Sequence, residues 1–78
     1  PAKLTYKERL ELDALPASIE SIETRKADLE AAINAQDFHL RGPIGMAETA
    51  SALEACEAEL ERVMARWLDL EGRAGAAR

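Results

Sequence analysis

Apolar residues recur along this chain at alternating spacings of three and four, in two runs separated by residues 34–48. That spacing places one narrow apolar stripe on each of two α-helices. We call these stripe positions the seam. They are Leu12, Leu15, Ile19, Ile22, Lys26, Leu29 and Ile33 in the first run, and Thr49, Leu53, Cys56, Leu60, Val63, Trp67 and Leu70 in the second.

A turn at residues 41–43 would bring the two stripes together in antiparallel order, because glycine followed by proline breaks a helix. The pairing then places Leu29 opposite Leu53 and Ile22 opposite Leu60. We therefore predict an all-α fold, an antiparallel two-helix coiled-coil hairpin. In a chain this short the hairpin would be a single domain whose stability comes from the seam.

Thr5 and Glu8 have the spacing of a capping box, which predicts a helix that starts at Tyr6. Pro16 cannot donate to the carbonyl of Leu12, so the helix should either kink there or break and restart. Within the single domain 1–78, the predicted segments are a short helix over 6–14, a first hairpin helix over 16–35, a tip over 36–45, a second hairpin helix over 46–71 and, past the glycines, a disordered tail over 72–78.

The charge is negative overall but unevenly distributed. The net charge is −5, and residues 16–61 carry three basic residues against ten acidic ones. Residues 62–78 carry four arginines against two acidic residues, so the base, where both chain ends meet, is relatively basic. The acidic shaft argues against a general nucleic-acid coat, whereas the base could contact phosphates.

The chemically reactive side chains do not form a recognisable active site. Cys56 is the single cysteine, which excludes an internal disulfide and suits a reducing compartment. We expect Cys56 and Lys26 to form a polar layer that sets the register, with the Lys26 ammonium directed to Glu57 or Glu59. His39 stands alone at the tip, which disfavours a metal site.

The acidic residues Glu54, Glu57 and Glu61 line one helical face, and a solvated face is the simpler interpretation than a cation site. No nucleotide-binding, zinc-binding or nucleophile motif is present in the sequence, so we expect no enzyme activity from this chain itself. No stretch has the roughly 20 apolar residues of a membrane span.

Aromatic residues lie among the basic residues of the base and could stack on nucleic-acid bases. Trp67 belongs to the seam, so core packing is its simpler role, whereas Tyr6 is free of that constraint. The candidate nucleic-acid contacts are Lys3, Tyr6, Lys7, Arg9, Arg62, Arg66, Arg73 and Arg78.

Three blocks of sequence resemble one known family. Residues 3–8 (KLTYKE), followed by 11–16 (ELDALP), are similar to the opening of the C-terminal domain of Uup-type ABC-F ATPases. Asp37 and Phe38, then the tip proline, resemble its turn region, and residues 66–71 (RWLDLE) resemble its closing block. Gly42 stands where the family commonly has an aspartate before that proline.

The resemblance implies that this chain is a piece of a larger cytoplasmic protein with two upstream ATP-binding cassettes, which use ATP and magnesium, and no membrane domain. It also implies a C-terminal hairpin that contributes nucleic-acid binding, chiefly to DNA; members of the wider class act on the ribosome. The alternative is a coiled coil for protein interaction or self-association, which could be associated with the ribosome and would not bind DNA directly. We expect a monomer, with a swapped dimer as the alternative.

Overall fold

The computed structural model describes residues 3–76, which form two long helices joined by a short one. Helix α1 spans Tyr6–Asn34, a 3-10 helix spans Phe38–Arg41, and helix α2 spans Gly42–Ala76. The described residues contain no strand, so the all-α class is confirmed. The shape is a rod with extents of 53 × 17 × 15 Å.

Cross-helix ion pairs show the direction of packing. Arg25 on α1 pairs with Glu59 on α2, Glu11 pairs with Arg66, and Glu8 pairs with Arg73. Residue numbers fall along α1 as they rise along α2, so the helices lie antiparallel. Both chain ends meet at one end of the rod, which we call the base, and the 3-10 helix forms the opposite end, the tip.

Helix α1 begins with the predicted capping box. The Glu8 amide donates to the Thr5 hydroxyl oxygen at 3.1 Å, and the Thr5 amide donates to the Glu8 carboxylate at 3.0 Å. Two amides that a helix start would otherwise leave without a partner are therefore satisfied.

The predicted break at Pro16 is wrong. Helix α1 runs without interruption from Tyr6 to Asn34 with Pro16 inside it, so there is no separate helix over 6–14. A proline inside a helix removes one backbone hydrogen bond. The seam residues Leu12, Leu15 and Ile19 lie on both sides of Pro16, and their packing against α2 holds the helix together across it. A bend at Pro16 stays a prediction.

Helix α2 is longer than predicted at both ends. It begins at Gly42, with Pro43 in its first turn, and continues to Ala76. The predicted end at residue 71 and the disordered tail are wrong for residues 72–76, whereas residues 77–78 lie outside the described part. A glycine inside a helix costs about 1 kcal/mol. The ion pair of Arg73 with Glu8 holds this last part of α2 against α1.

The tip changes direction through backbone geometry. The 3-10 helix ends at Gly42, whose φ of +76° suits glycine because larger residues meet steric conflict there. Phe38 is half-buried with the Arg41 guanidinium 6.0 Å from its ring centre. Leu40 is 75% exposed, so it does not cover the end of the seam.

The seam is the core of the molecule. Ile22, Thr49, Cys56 and Leu70 are buried, and Leu70 has no exposed surface at all. The Cys56 thiol donates to the Ile22 carbonyl at 3.3 Å. A helical carbonyl points toward the residue four positions on, so the thiol lies over the turn that begins at Ile22. The placement of Lys26 and Cys56 in one polar layer stays a prediction.

One detail of that layer is wrong. Arg25, rather than Lys26, holds Glu59, at 2.8 Å. The other predicted layers, such as Leu29 opposite Leu53, stay predictions.

Candidate nucleic-acid interface

The base contains a connected group of ion pairs, which we call the base network, centred on Arg66. The Arg66 Nε donates to Glu11 Oε2 at 2.7 Å and its Nη2 donates to Glu11 Oε1 at 2.9 Å. This two-bond arrangement is the preferred geometry of an arginine with a carboxylate. Asp69 lies 3.4 Å from Arg66 on the same helix, and Glu8 accepts from Arg73.

Both glutamates of this network have a lowered pKa. The Thr5 amide that donates to Glu8 lowers the pKa of that carboxyl, and the nearby charge of Arg73 lowers it further. The hydrogen bond from Arg66 lowers the pKa of Glu11, and the charges of Arg66 and Lys7 act in the same direction. Both carboxylates are therefore held in the charged form, and Glu8 joins the start of α1 to the end of α2.

Two of the predicted phosphate contacts are thus already occupied. The fork of Arg66 holds Glu11, and Arg73 holds Glu8. Both arginines are only partly exposed. A phosphate would have to displace a carboxylate to bind either of them in the same way.

The remaining candidates within the described part of the chain are accessible to solvent. Tyr6 is 78% exposed and points away from the seam. Arg78 lies outside the described residues. The exposed basic candidates are Lys3, Lys7, Arg9 and Arg62.

The cations of the base are concentrated along one long edge of the hairpin, which we call the basic edge. On α2 its positions follow the seam at steps of three and four, and on α1 a matching row faces them. The ion pairs Arg25–Glu59 and Glu11–Arg66 join the two rows. The rows are Glu59, Arg62, Arg66, Asp69 and Arg73 on α2, and Lys7, Glu11, Ala14, Ser18, Ser21 and Arg25 on α1.

Midway along the basic edge an open groove of about 530 Å³ lies between the two helices. Its polar lining consists of two arginines, one glutamate and two serines, and its other lining residues are one alanine and two seam residues. The lining residues that bear on binding are Ser18, Ser21, Arg25, Glu59 and Arg62.

The opposite long edge differs in chemistry. A groove there is lined by Pro16, Ile19, Met64 and Trp67, with Glu23 as its polar member. The half-buried Trp67 lies among these apolar residues. Its packing role therefore stands, and its ring is not part of a basic aromatic surface.

Other candidate chemistry finds no support from geometry. Within residues 3–76 no group of three His, Cys, Asp or Glu side chains could hold a metal ion. His39 Nδ1 lies 3.1 Å from the Gln36 carbonyl, so the tautomer with a proton on Nδ1 donates to it. No helix in this part of the chain is long and apolar enough to cross a membrane.

Sequence reasoning missed Glu8, Glu11, Ser18, Ser21 and Arg25 as members of the basic surface. The signal was present, because these residues flank the seam at its own spacing, where side chains of coiled coils meet across the interface. Net charges taken over separate segments of the sequence do not show this surface, because its residues come from two segments that the hairpin brings together.

Comparison with known proteins identifies the family. The family model described as the ABC transporter C-terminal domain matches residues 3–72, which is most of the chain. This chain belongs to the ABC transporter C-terminal domain family. The match covers the capping box, the tip, Arg62 and Arg66, whereas Arg73 of the base network lies just beyond it.

Two relatives from Haemophilus influenzae extend the match. The ATP-binding protein Uup-like is 37% identical over 75 residues, covering 96% of this chain and 16% of the relative. The ATP-binding protein Uup is 39% identical over 69 residues, covering 88% of this chain and 11% of the relative. The chain therefore spans only a small part of the length of these two relatives. No solved structure matches it significantly.

Proposed function

We propose that this chain is the nucleic-acid-binding accessory domain of a cytoplasmic ABC-F ATPase, with DNA as its chief ligand. Membership of the ABC transporter C-terminal domain family and the two ATP-binding relatives support the accessory role. ATP and magnesium would bind to the cassettes of the parent protein. The helical hairpin would contribute affinity for nucleic acid.

The observation that carries this proposal is the concentration of cations on one edge of an otherwise acidic rod. Arg25, Arg62, Arg66 and Arg73 share that edge with Lys7, although the chain as a whole carries −5. Phosphates are bound mainly by arginine, lysine and hydroxyl side chains, all of which this edge offers. Binding through such contacts is largely independent of base sequence.

The basic edge also changes where contact is expected. Lys7 and Arg62 are exposed, whereas Arg66 and Arg73 hold carboxylates, so the first two should provide the stronger phosphate contacts. Tyr6, on the outer face of α1 next to Lys7, is the aromatic residue that could stack on a single-stranded base.

The test is a titration of the chain with fluorescent oligonucleotides over a series of salt concentrations. Single-stranded DNA, duplex DNA and a ribosomal RNA fragment of equal length serve as ligands. We expect the logarithm of affinity to fall linearly with the logarithm of salt concentration, because phosphate contact releases counterions. No binding to any of the three at low salt, or binding that salt does not weaken, would contradict the proposal.

A second candidate function is protein interaction or self-association. The observation that favours it is an exposed apolar tip, where Leu40 and Ile44 are each 75% exposed. The acidic side chains of the shaft would also repel the phosphates of a nucleic acid. Sedimentation at micromolar concentration tests self-association, for which the expected result under the main proposal is a monomer. A stable dimer, swapped or not, would favour this second function.

A further inference from the structure

The groove on the basic edge contains an arginine that pairs with no carboxylate of residues 3–76. Arg66 holds Glu11, Arg73 holds Glu8 and Arg25 holds Glu59. Arg62 lies on the same edge, and no carboxylate of residues 3–76 lies within 4.0 Å of it. Among the arginines of this edge, Arg62 therefore has its guanidinium available for an external anion.

Small residues on α1 explain why no carboxylate of the described residues pairs with Arg62. Ala14, Ser18 and Ser21 occupy the α1 row between Glu11 and Arg25, where a longer acidic side chain would reach Arg62. The short side chains leave the open groove, and the two serine hydroxyls line it. A hydroxyl can donate one hydrogen bond to an anion and adjust its direction by rotation.

From this arrangement we propose that the groove is a subsite for one backbone phosphate of a nucleic acid. The Arg62 guanidinium would bind the phosphate oxygens through its fork, and the Ser18 and Ser21 hydroxyls would donate to them. This inference rests on the proposed function and assigns a specific contact within it.

The charges around the groove limit the subsite to one phosphate. Arg25 lies at the tip end of the groove, but Glu59, 2.8 Å away, offsets its charge and would repel a second phosphate. Toward the base the same edge continues to Arg66, whose fork is occupied, and to the exposed Lys7. A strand could thus run along the edge from the groove toward Lys7.

The experiment compares two exposed arginines, one on the basic edge and one outside it. Arg62→Gln removes the proposed contact, and Arg41→Gln removes the same charge from an exposed position at the tip, which is outside the basic edge and is not among the candidate contacts. Binding of a fluorescent single-stranded DNA oligonucleotide is measured over a salt series for the 78-residue chain and both variants. Helicity measured by circular dichroism checks that each variant is folded.

We expect Arg62→Gln to reduce the log–log salt slope by about 1, the contribution of one phosphate contact. Affinity at low salt should fall several-fold. Arg41→Gln should change the slope much less, since only the general charge of the chain is altered. The double variant Ser18→Ala with Ser21→Ala should weaken binding at unchanged net charge, and alanine favours the helix, so the variant should fold.

The outcomes separate this inference from the function on which it rests. If the intact chain binds DNA and the two arginine variants lose affinity and slope equally, the groove is overturned and the proposed function stands. Unchanged binding by the double serine variant would also overturn the groove as described. If the intact chain binds no DNA at low salt, both the proposed function and the subsite are overturned.

Discussion

The two ends of this hairpin are held together by different forces. At the base, charged side chains join α1 to α2, because Glu8 and Glu11 hold Arg73 and Arg66 beside the buried Leu70. At the tip, backbone geometry makes the connection through a 3-10 helix that ends at a positive-φ glycine. Leu40 and Ile44 are exposed at the tip, whereas Leu70 is fully buried at the base.

The two ends should therefore respond to different changes. Charge pairs depend on pH and salt, whereas a backbone turn depends on the conformational freedom of its residues. At the base, moreover, the same arginines that join the helices would attract phosphates. Stability and anion binding therefore compete there, and they do not compete at the tip.

The largest effect should come from the buried end of the seam. Leu70→Ala should destabilise the hairpin by about 2–5 kcal/mol, because it removes a fully buried side chain and leaves a cavity. Thermal unfolding followed by circular dichroism measures the loss. Leu68→Ala, two residues away and 60% exposed, is the matched control and should stay within about 0.5 kcal/mol. Equal losses would mean that the base is not packed as described.

A smaller effect, with opposite signs at the two ends, is expected from two glycines. Gly42→Ala should cost about 1–2 kcal/mol, because φ is +76° there. Gly72→Ala should instead stabilise the hairpin by about 1 kcal/mol, since Gly72 lies inside α2 and an added methyl group meets no other atom. Both are measured by denaturant unfolding. Stabilisation by Gly42→Ala would show that the tip does not need a left-handed residue.

The smallest effect should be the pH dependence of the base, because its ion pairs are partly exposed and exposed pairs contribute little. The pKa values of Glu8 and Glu11 are lowered in the folded chain from an ordinary value of 4.5. Their contribution to stability is therefore present above about pH 4.5 and is lost as the pH falls through the lower folded values. The melting temperature should fall over that window.

The control for this pH effect lies on the tip half of α2. Arg66, Arg73, Lys7 and Asp69 are the charged groups that face Glu8 and Glu11. Glu11→Gln should flatten the fall in melting temperature between pH 5 and pH 3. Glu54→Gln, at an exposed position away from the base, should leave it unchanged. The same flattening in both variants would contradict a specific role for the base network.

Short-range patterns in the sequence were sufficient for much of the fold. The seam spacing identified Ile22, Cys56 and Leu70 as core residues, and the Thr5–Glu8 spacing identified the capping box. These features depend on residues a few positions apart, whose geometry in a helix is nearly constant. The family could also be recognised in this way, since its opening block is continuous in sequence.

The outcome at Pro16 and beyond Gly72 was decided by tertiary contacts. Local preference favours a helix boundary at both places, but α1 continues through Pro16 and α2 continues to Ala76. The energy of packing one helix along another is summed over many residues, so it exceeds the cost of one proline or one glycine. A residue-by-residue preference cannot include that sum.

The sequence by itself determined the two helices, the seam between them and the charge that each carries. Only the tertiary structure decided which arginines remain available to a ligand. Arg66 and Arg62 have the same side chain and lie one helical turn apart, yet Glu11 holds Arg66, and the α1 residues that line the groove with Arg62 include no carboxylate. Glu11 comes from the other helix, 55 positions away in the sequence. The antiparallel register therefore sets which α1 residue faces each of the two arginines.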